Sequence, residues 1–360
     1  RRQTEFIGYI QLSTNFAFFV PDTDKPMPDL FIPLTSLNGA KNKDRVVARL
    51  VKWDKEDKKP VGEVVSVMQP EDENDAAMKE LLAQAGFPLF FPEDVLEEAE
   101  RLPDVLDTEE IKKRKDCREI RTFTIDPVDA KDFDDAISIR KLSNGIYEIG
   151  VHIADVSYYV HPETELDEEA YKRATSVYLP DRVNPMLPER ISNELCSLRP
   201  HEDKFTFSAI FQMSAKGEIK QYWLGRTVIH SDHRFTYEDV QEIIETKEGK
   251  FAEDILLLNE FAQKMRKKRF SKGAINFSSQ EVRFKLDEKG KPVGIVVKES
   301  KEAHQLIEEF MLLANRTVAE NISKIQINKK QIPFPYRVHD QPDAERLAPF
   351  MEFAKKYGHK

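Results

Sequence analysis

Short runs in which apolar and polar positions alternate open the chain. Phe6–Leu12 and Phe16–Val20 are rich in aromatic and β-branched residues and flank the polar turn Ser13-Thr14-Asn15, which predicts a hairpin. Pro21–Pro26 is a second turn, and Asp29–Pro33, Arg45–Trp53 and Val61–Val67 each carry the pattern of a short strand. Five such strands within the first 70 residues predict a small closed barrel of the OB type. A period of two puts Phe16 and Phe18 on one face of their strand and Ala17 and Phe19 on the other. One face fills the barrel. The other either presents rings on which bases can stack or joins the core as well.

The pattern then changes period. Glu71–Ala76 starts a helix whose acidic first turn suits the helix dipole. Gly86-Phe-Pro88 breaks it, Pro92–Glu100 is a second helix with proline at its start, and Thr108–Lys115 is a short third one. Beyond Cys117 the segments Thr122–Ile125, Asp134–Arg140, Tyr147–Ile153, Thr206–Ser214, Gly217–Arg226, Thr227–Arg234, Val293–Glu299 and Pro335–Asp340 read as strands. Leu166–Ala174, Tyr237–Glu245, Glu253–Arg269, Glu302–Ile325 and a stretch from about Pro342 read as helices, with apolar residues at helical spacing. The class is α+β: an N-terminal OB-type barrel over residues 1–70, a helical connector over 71–116, and a mixed α+β unit over 117–360.

Composition narrows this further. A chain of 360 residues is too long for one ordinary core. No apolar run approaches the roughly 18 residues of a membrane span, and Arg1–Glu5 is no signal region. Cys117 and Cys196 stand alone, as in a reduced, cytoplasmic protein. A net charge of −9 argues against coating nucleic acid by bulk charge, although local basic surfaces remain possible. The clearest basic run, Lys264–Arg269 with Lys272, is either such a surface or the solvated end of a helix.

The strongest chemical signal is Thr124–Ile137, which holds Asp126, Asp129, Asp132, Asp134 and Asp135 between apolar flanks. Carboxylates this crowded repel one another unless a counter-charge is present. Oxygen donors with no Cys or His beside them favour Mg²⁺ or Mn²⁺ over Zn²⁺. An EF-hand loop counted from Asp126 fails, because Lys131 and Ile137 occupy the places of its Gly and Glu. Lys131 and Arg140 are too few to neutralise five acids, and a solvated acidic loop is the remaining bland reading. Asp155 is a candidate acid in support of the cluster, while His152 reads as a satisfied core group. His230, Asp232 and His233 lack the further ligand that a zinc site needs. Three prolines between Tyr178 and Arg190 shape a rigid loop.

Asp126-Pro-Val-Asp-Ala-Lys-Asp132-Phe-Asp134-Asp135 resembles the acidic signature of the ribonuclease II and ribonuclease R family of processive 3′→5′ exoribonucleases. Gly8, Phe16-Ala-Phe18 and Asp29–Pro33 are similar to the cold-shock domain that precedes the catalytic RNB domain in such enzymes. The resemblance implies hydrolysis of single-stranded RNA from its 3′ end to nucleoside 5′-monophosphates. It implies Asp126 and Asp135 as leading metal ligands, Asp132 as a further support of the metal, and Asp134 as the carboxylate closest to the chemical step. Asp129 is a bystander. RNA contacts are implied for Tyr178 at the scissile end, Tyr237 along the channel, Phe277 at the far end of a stacked run and Glu308 at the terminal ribose, with Phe16 and Phe18 on the barrel. The ribosome or the RNA-decay machinery are the implied further partners. Family members carry a Thr-Ser-Pro-Ile-Arg-Arg-type segment and an S1 domain beyond a position like Lys360, and a further cold-shock domain before one like Arg1. The expectation is therefore an incomplete catalytic domain. Its rivals are an RNA-binding or regulatory module with an inactive nuclease domain, and an endonuclease.

Overall fold

The computed structural model describes residues 4–22, 27–53, 59–68, 73–275, 281–287, 290–336, 338, 341 and 343–359. The chain divides into a compact unit through Glu309 and a second from Phe310 to Lys360.

The first unit opens with β1 (Glu5–Leu12), β2 (Ala17–Pro21), β3 (Leu30–Ile32), β4 (Arg45–Lys52) and β5 (Val61–Val67), closed into a barrel in the order β1-β2-β3-β5-β4. Ile10, Ala17, Phe19, Leu30, Ile32, Val46, Ala48 and Val64 fill it. Phe19 is the largest of these, and its ring lies 2.7 Å from where a Cβ on Gly8 would be, so no larger residue fits at position 8. The alternation at Phe16–Phe19 thus resolves: the odd positions are core and the even ones face outward.

A connector of α1 (Glu73–Gln84), α2 (Glu93–Glu100) and α3 (Thr108–Lys113) follows. Ala83 of α1 packs with Ile7 and Val47 on the outside of the barrel. Next come β6 (Lys115–Asp116), β7 (Thr122–Asp126), β8 (Asp135–Lys141), β9 (Ile146–Ala154), α4 (Glu165–Arg173), the two-residue pair β10 (Val177–Tyr178) and β11 (Val183–Asn184), and a π-helical turn at Arg190–Leu195. The sheet is completed by β12 (Asp203–Ser214), β13 (Ile219–His230) and β14 (His233–Thr236), and helices α5 (Tyr237–Thr246) and α6 (Ala252–Ser271) follow. Strand order is β14-β7-β8-β9-β12-β13-β6, with the outer pairs parallel and the inner ones antiparallel. One face packs Ala136, Ala154, Ile210 and Ile229 against Val95 and Ala99 of α2, Leu166 of α4, and Ile191 and Leu195. On the other, Phe123 stacks on Phe251 and Tyr147 meets Phe261 of α6.

The unit ends with the ribbon β15 (Glu281–Leu286) and β16 (Pro292–Lys298) and the start of α7 (Glu302–Ile322). The second unit holds the rest of α7, the hairpin of β17 (Gln326–Ile327) and β18 (Lys330–Gln331), and α8 (Ala344–Lys356), which Asp343 caps through the Glu345 N–H.

Three expectations need correction. The segment 217–234 is one long strand and one short one, not two strands divided after Arg226, because β13 pairs with β12 without interruption through Gly225, over which the Trp223 ring folds. The ribbon strand β15 and the hairpin β17–β18 have no counterpart in the sequence reading. Residues 335, 336 and 338 form no strand; the rest of 335–340 lies outside the described residues.

Arg173 ties connector to sheet. Its side chain is fully buried over the Phe91 ring, pairs with Glu169 at 2.8 Å, and donates to the carbonyls of Pro88 and Phe90 and to Asn184 Oδ1. Removing one partner of a buried ion pair strands the other charge, at a cost of about 3–5 kcal/mol. Arg173→Met is expected to lower the free energy of urea unfolding by that amount, and replacing Glu169 by Leu as well should recover part of it.

Candidate active site

The sheet delivers the acidic stretch. β7 ends on Asp126 and the antiparallel β8 begins on Asp135, so both carboxylates emerge at one end of neighbouring strands. Two side chains from distant sequence pin the loop between them. Ser197, fully buried, donates from Oγ to the Lys131 carbonyl at 3.1 Å and accepts from the Phe133 N–H at 3.0 Å. Arg234 of β14 donates to the carbonyls of Pro127 and Val128, with its guanidinium over the Phe133 ring. The Ala154 N–H donates to the Asp134 carbonyl at 3.0 Å. All these contacts hold the backbone and leave the carboxylates uncommitted.

The electrostatics follow from that. Asp126 is buried, and its Oδ2 has no hydrogen-bond partner. Burial pushes its carboxyl up to about 7, with the charges of Asp135 and Asp134 acting in the same sense. Asp134 reaches water but is hemmed by protein on its other sides. Desolvation pushes it up to about 6, and Asp132 and Asp135 add to this. Desolvation alone moves half-buried Asp135 to about 6. Among the described residues, no Lys or Arg lies in ion-pairing distance of Asp126, Asp132, Asp134 or Asp135. Arg140, a possible neutraliser, is spent on Glu148 at 2.6 Å. Asp129 is exposed and 3.9 Å from Arg283.

No three His, Cys, Asp or Glu side chains among the described residues converge closely enough to hold an ion as they stand. The donor chemistry nevertheless fits a hard divalent cation. It is all carboxylate, it includes an orphaned buried oxygen, and burial and then the like charges of its own members raise its pKa values.

Two tyrosines border the cluster. The Tyr178 hydroxyl donates to Asp132 Oδ2 at 3.4 Å while the ring stays exposed. The Tyr237 hydroxyl is pushed up to about 12 by burial and then by Asp135 and Asp126, which places it beside those acids. Its ring stacks on His304 at 4.2 Å with the planes 10° apart. Glu308 pairs with Arg269 at 3.0 Å and Arg266 at 3.6 Å, where α6 meets α7. Phe277 lies outside the described residues. On the barrel, Phe16 and Phe18 stand 5.2 Å apart and are joined by Phe31 of β3, with Lys59 Nζ 4.2 Å from the Phe18 centroid.

Asp155 proves not to support the cluster. It is buried and ion-paired with Arg114 at 2.8 Å, because Arg114 is itself fully buried over Phe205 and needs the charge. His152 is a core group held between Ser208 and Ser138. His230 pairs with Asp203, His233 lies against Lys250, and Asp232 accepts from the Thr122 N–H, so these three build no zinc site. In the basic run, Arg266 and Arg269 bind Glu308 and Glu309 and Lys264 binds Glu260. Ser197 and Arg234 were not legible as parts of the site, since they act on carbonyls 66 and 107 residues away.

A barrel followed by a helix-covered mixed sheet with an acidic loop at its strand ends defines the class. The RNB domain family matches residues 114–360, and the cold shock domain family matches residues 18–92. The ribonuclease R of Thermotoga maritima is 39% identical over 98% of this chain, and this chain spans 50% of that protein. The ribonuclease R of Mycoplasma genitalium, solved with ribose-methylated single-stranded RNA, superposes with a TM-score of 0.79 at 27% identity, covering 99% of this chain and 56% of that one. Yeast Ssd1, described as a pseudonuclease, shares the fold with a TM-score of 0.61 at 21% identity over 89% of this chain and 41% of its own. The chain belongs to the RNB-domain family, as the likeness of its acidic stretch to ribonuclease II and ribonuclease R implies. No helix among the described residues is long and apolar enough to cross a membrane.

The raised carboxyls fix a pH dependence. Between the unfolded value of about 3.9 and the folded values of about 6 and about 7, the folded state binds more protons than the unfolded state. Stability therefore falls as pH rises through that window. Urea midpoints in chelator are expected to drop from about pH 5 to about pH 8, and Asp126→Asn should flatten the slope. A midpoint that climbs equally in both proteins would contradict the desolvated cluster.

Proposed function

We propose that the protein is a processive exoribonuclease that hydrolyses single-stranded RNA from its 3′ end and releases nucleoside 5′-monophosphates, using Mg²⁺ or Mn²⁺. The observation that carries this reading is the group of desolvated carboxylates whose described neighbours fix the backbone and form no ion pair with them. A fold shared with a pseudonuclease cannot carry it alone.

Asp126 and Asp135 would hold the metal, with Asp132 in support. The bound ions supply a nucleophilic water and neutralise phosphoryl and leaving-group charge. Asp134, the carboxylate of the group most open to water, is the one assigned to the chemical step. Tyr178, anchored through Asp132, offers its free ring to the base at the scissile end. Tyr237, braced by His304 and close to Asp135 and Asp126, would line the RNA channel. The roles of Phe277 and Glu308 and association with the ribosome or RNA-decay machinery rest on the resemblance alone, a cytoplasmic location rests on the two lone cysteines, and the division at residues 70 and 116 rests on the change of sequence pattern. Phe16 and Phe18, with Phe31 and Lys59, form a surface suited to stacking bases while the lysine meets a phosphate.

Two variants test this. With a 5′-labelled RNA bearing a 3′ overhang, Mg²⁺-dependent release of mononucleotides is expected, and Asp134→Asn should lower it by more than about 100-fold while RNA binding persists. Undiminished release by that variant would refute the assignment, and internal fragments as first products would mark an endonuclease. Phe18→Ala should weaken binding of single-stranded RNA by about 1–3 kcal/mol in a filter-binding titration, without changing the unfolding midpoint.

A further inference from the structure

The cluster explains how a scissile phosphate would be met by metal, but not which side chain of this chain would hold the strand's negative charge beside it. Among the described residues, the arginines of the sheet, of the β10–β11 loop and of α6 are mostly spent. Arg234 serves the carbonyls of Pro127 and Val128, Arg140 serves Glu148, and Arg182 is shared between Asp181 and Asp75. Arg266 and Arg269 serve Glu308 and Glu309.

Arg283 is different. It lies on β15, paired in register with Val296, and its side chain is exposed. It points away from the apolar face that Val282 and Phe284 form with Val297 and Ile295, which lie opposite them across the ribbon. Among the described residues, its ion-pair partner is Asp129, exposed, at 3.9 Å. A single long contact between two solvated groups is worth little and leaves the guanidinium available. Its charge also reaches Tyr237, opposing the effect of Asp135 and Asp126 on that hydroxyl. One exposed, weakly held guanidinium thus stands over the acidic loop and near the tyrosine that borders the cluster. A planar fork of this kind matches phosphate oxygens in a bidentate manner.

We propose that Arg283 binds a backbone phosphate of RNA entering the site, exchanging its loose contact with Asp129 for the phosphate. The assignment rests on the reading of the protein as an RNA-directed nuclease. In it the β15–β16 ribbon is the element that presents the phosphate ligand, and Asp129 is its resting partner.

The test is equilibrium binding of a labelled single-stranded oligonucleotide in chelator, with the salt concentration varied, for the native protein, Arg283→Ala, Arg283→Lys and Phe18→Ala. Arg283→Ala is expected to weaken binding about tenfold on any sequence, and to reduce the slope of log affinity against log salt by about 0.7. Arg283→Lys should restore the slope but not the full affinity, since the charge returns without the fork. An unchanged unfolding midpoint in Arg283→Ala would show that the loss is not one of folding. Native affinity and slope in Arg283→Ala, with Phe18→Ala still weakened, would overturn the role of Arg283 and leave the nuclease reading standing. Failure of the native protein itself to bind the oligonucleotide would overturn both.

Discussion

The structure depends on one constraint: four aspartates are gathered by backbone anchors that form no ion pair with them, Arg234 opposing the rise of Asp126 only through its field. Ser197 and Arg234 fix the carbonyls and amides of residues 127–133, and the strand ends fix Asp126 and Asp135. An ordinary structural loop with this many acids spends its nearest arginine on a carboxylate. Here Arg234 is turned onto carbonyl groups, and the carboxyls rise towards neutrality instead. Burying an unpaired charge is among the costlier things a fold can do, and such sites persist where the unpaired group has a partner elsewhere.

The rest of the first unit makes that arrangement rigid. The face of the sheet carrying Ala136, Ala154 and Ile210 is covered by α2, α4 and the π-helical turn, and Ser197 follows directly from that turn. Arg173 then locks α4 to the connector through carbonyls at Pro88 and Phe90. The connector meets the barrel through Ala83 and through Glu5, which accepts from the Leu89 N–H. A continuous set of buried contacts therefore links the aromatic patch of Phe16, Phe18 and Phe31 to the acidic loop. In the proposed function, an RNA strand held on one would be presented to the other.

Much of this was legible in the sequence, for identifiable reasons. A period of two separates Phe19 from Phe16 and Phe18 without knowledge of the barrel, because a strand has only two faces. The acidic stretch was legible as an imbalance, since its own neighbours could not neutralise it. What escaped was everything fixed by long-range partners. Asp155 looked like support for the cluster because Arg114, which claims it, is invisible as a partner until both are buried. The continuity of β13 past Arg226 was also hidden, because it is set by pairing with β12, and Gly225 within it makes room for the Trp223 ring. The backbone anchoring by Ser197 and Arg234 escaped too, because a carbonyl acceptor can belong to any residue.

The net charge of −9 poses the last difficulty, since an acidic chain should repel RNA. The ion pairs show how it is resolved. Arg266, Arg269, Arg182 and Arg140 are neutralised locally by acids of their own, so the balance of the whole chain says little about the field at any one place. At the acidic loop the field is set by carboxylates that lack partners. When they are ionised and empty, they repel an incoming phosphate for the same reason that they repel one another. In the proposed function a divalent cation among them would remove both repulsions together, so metal affinity and RNA affinity at this place would be thermodynamically coupled, each raising the other by the same factor. The feature that makes the cluster costly in isolation is then the one that would make it selective for a cation and a polyanion arriving as a pair.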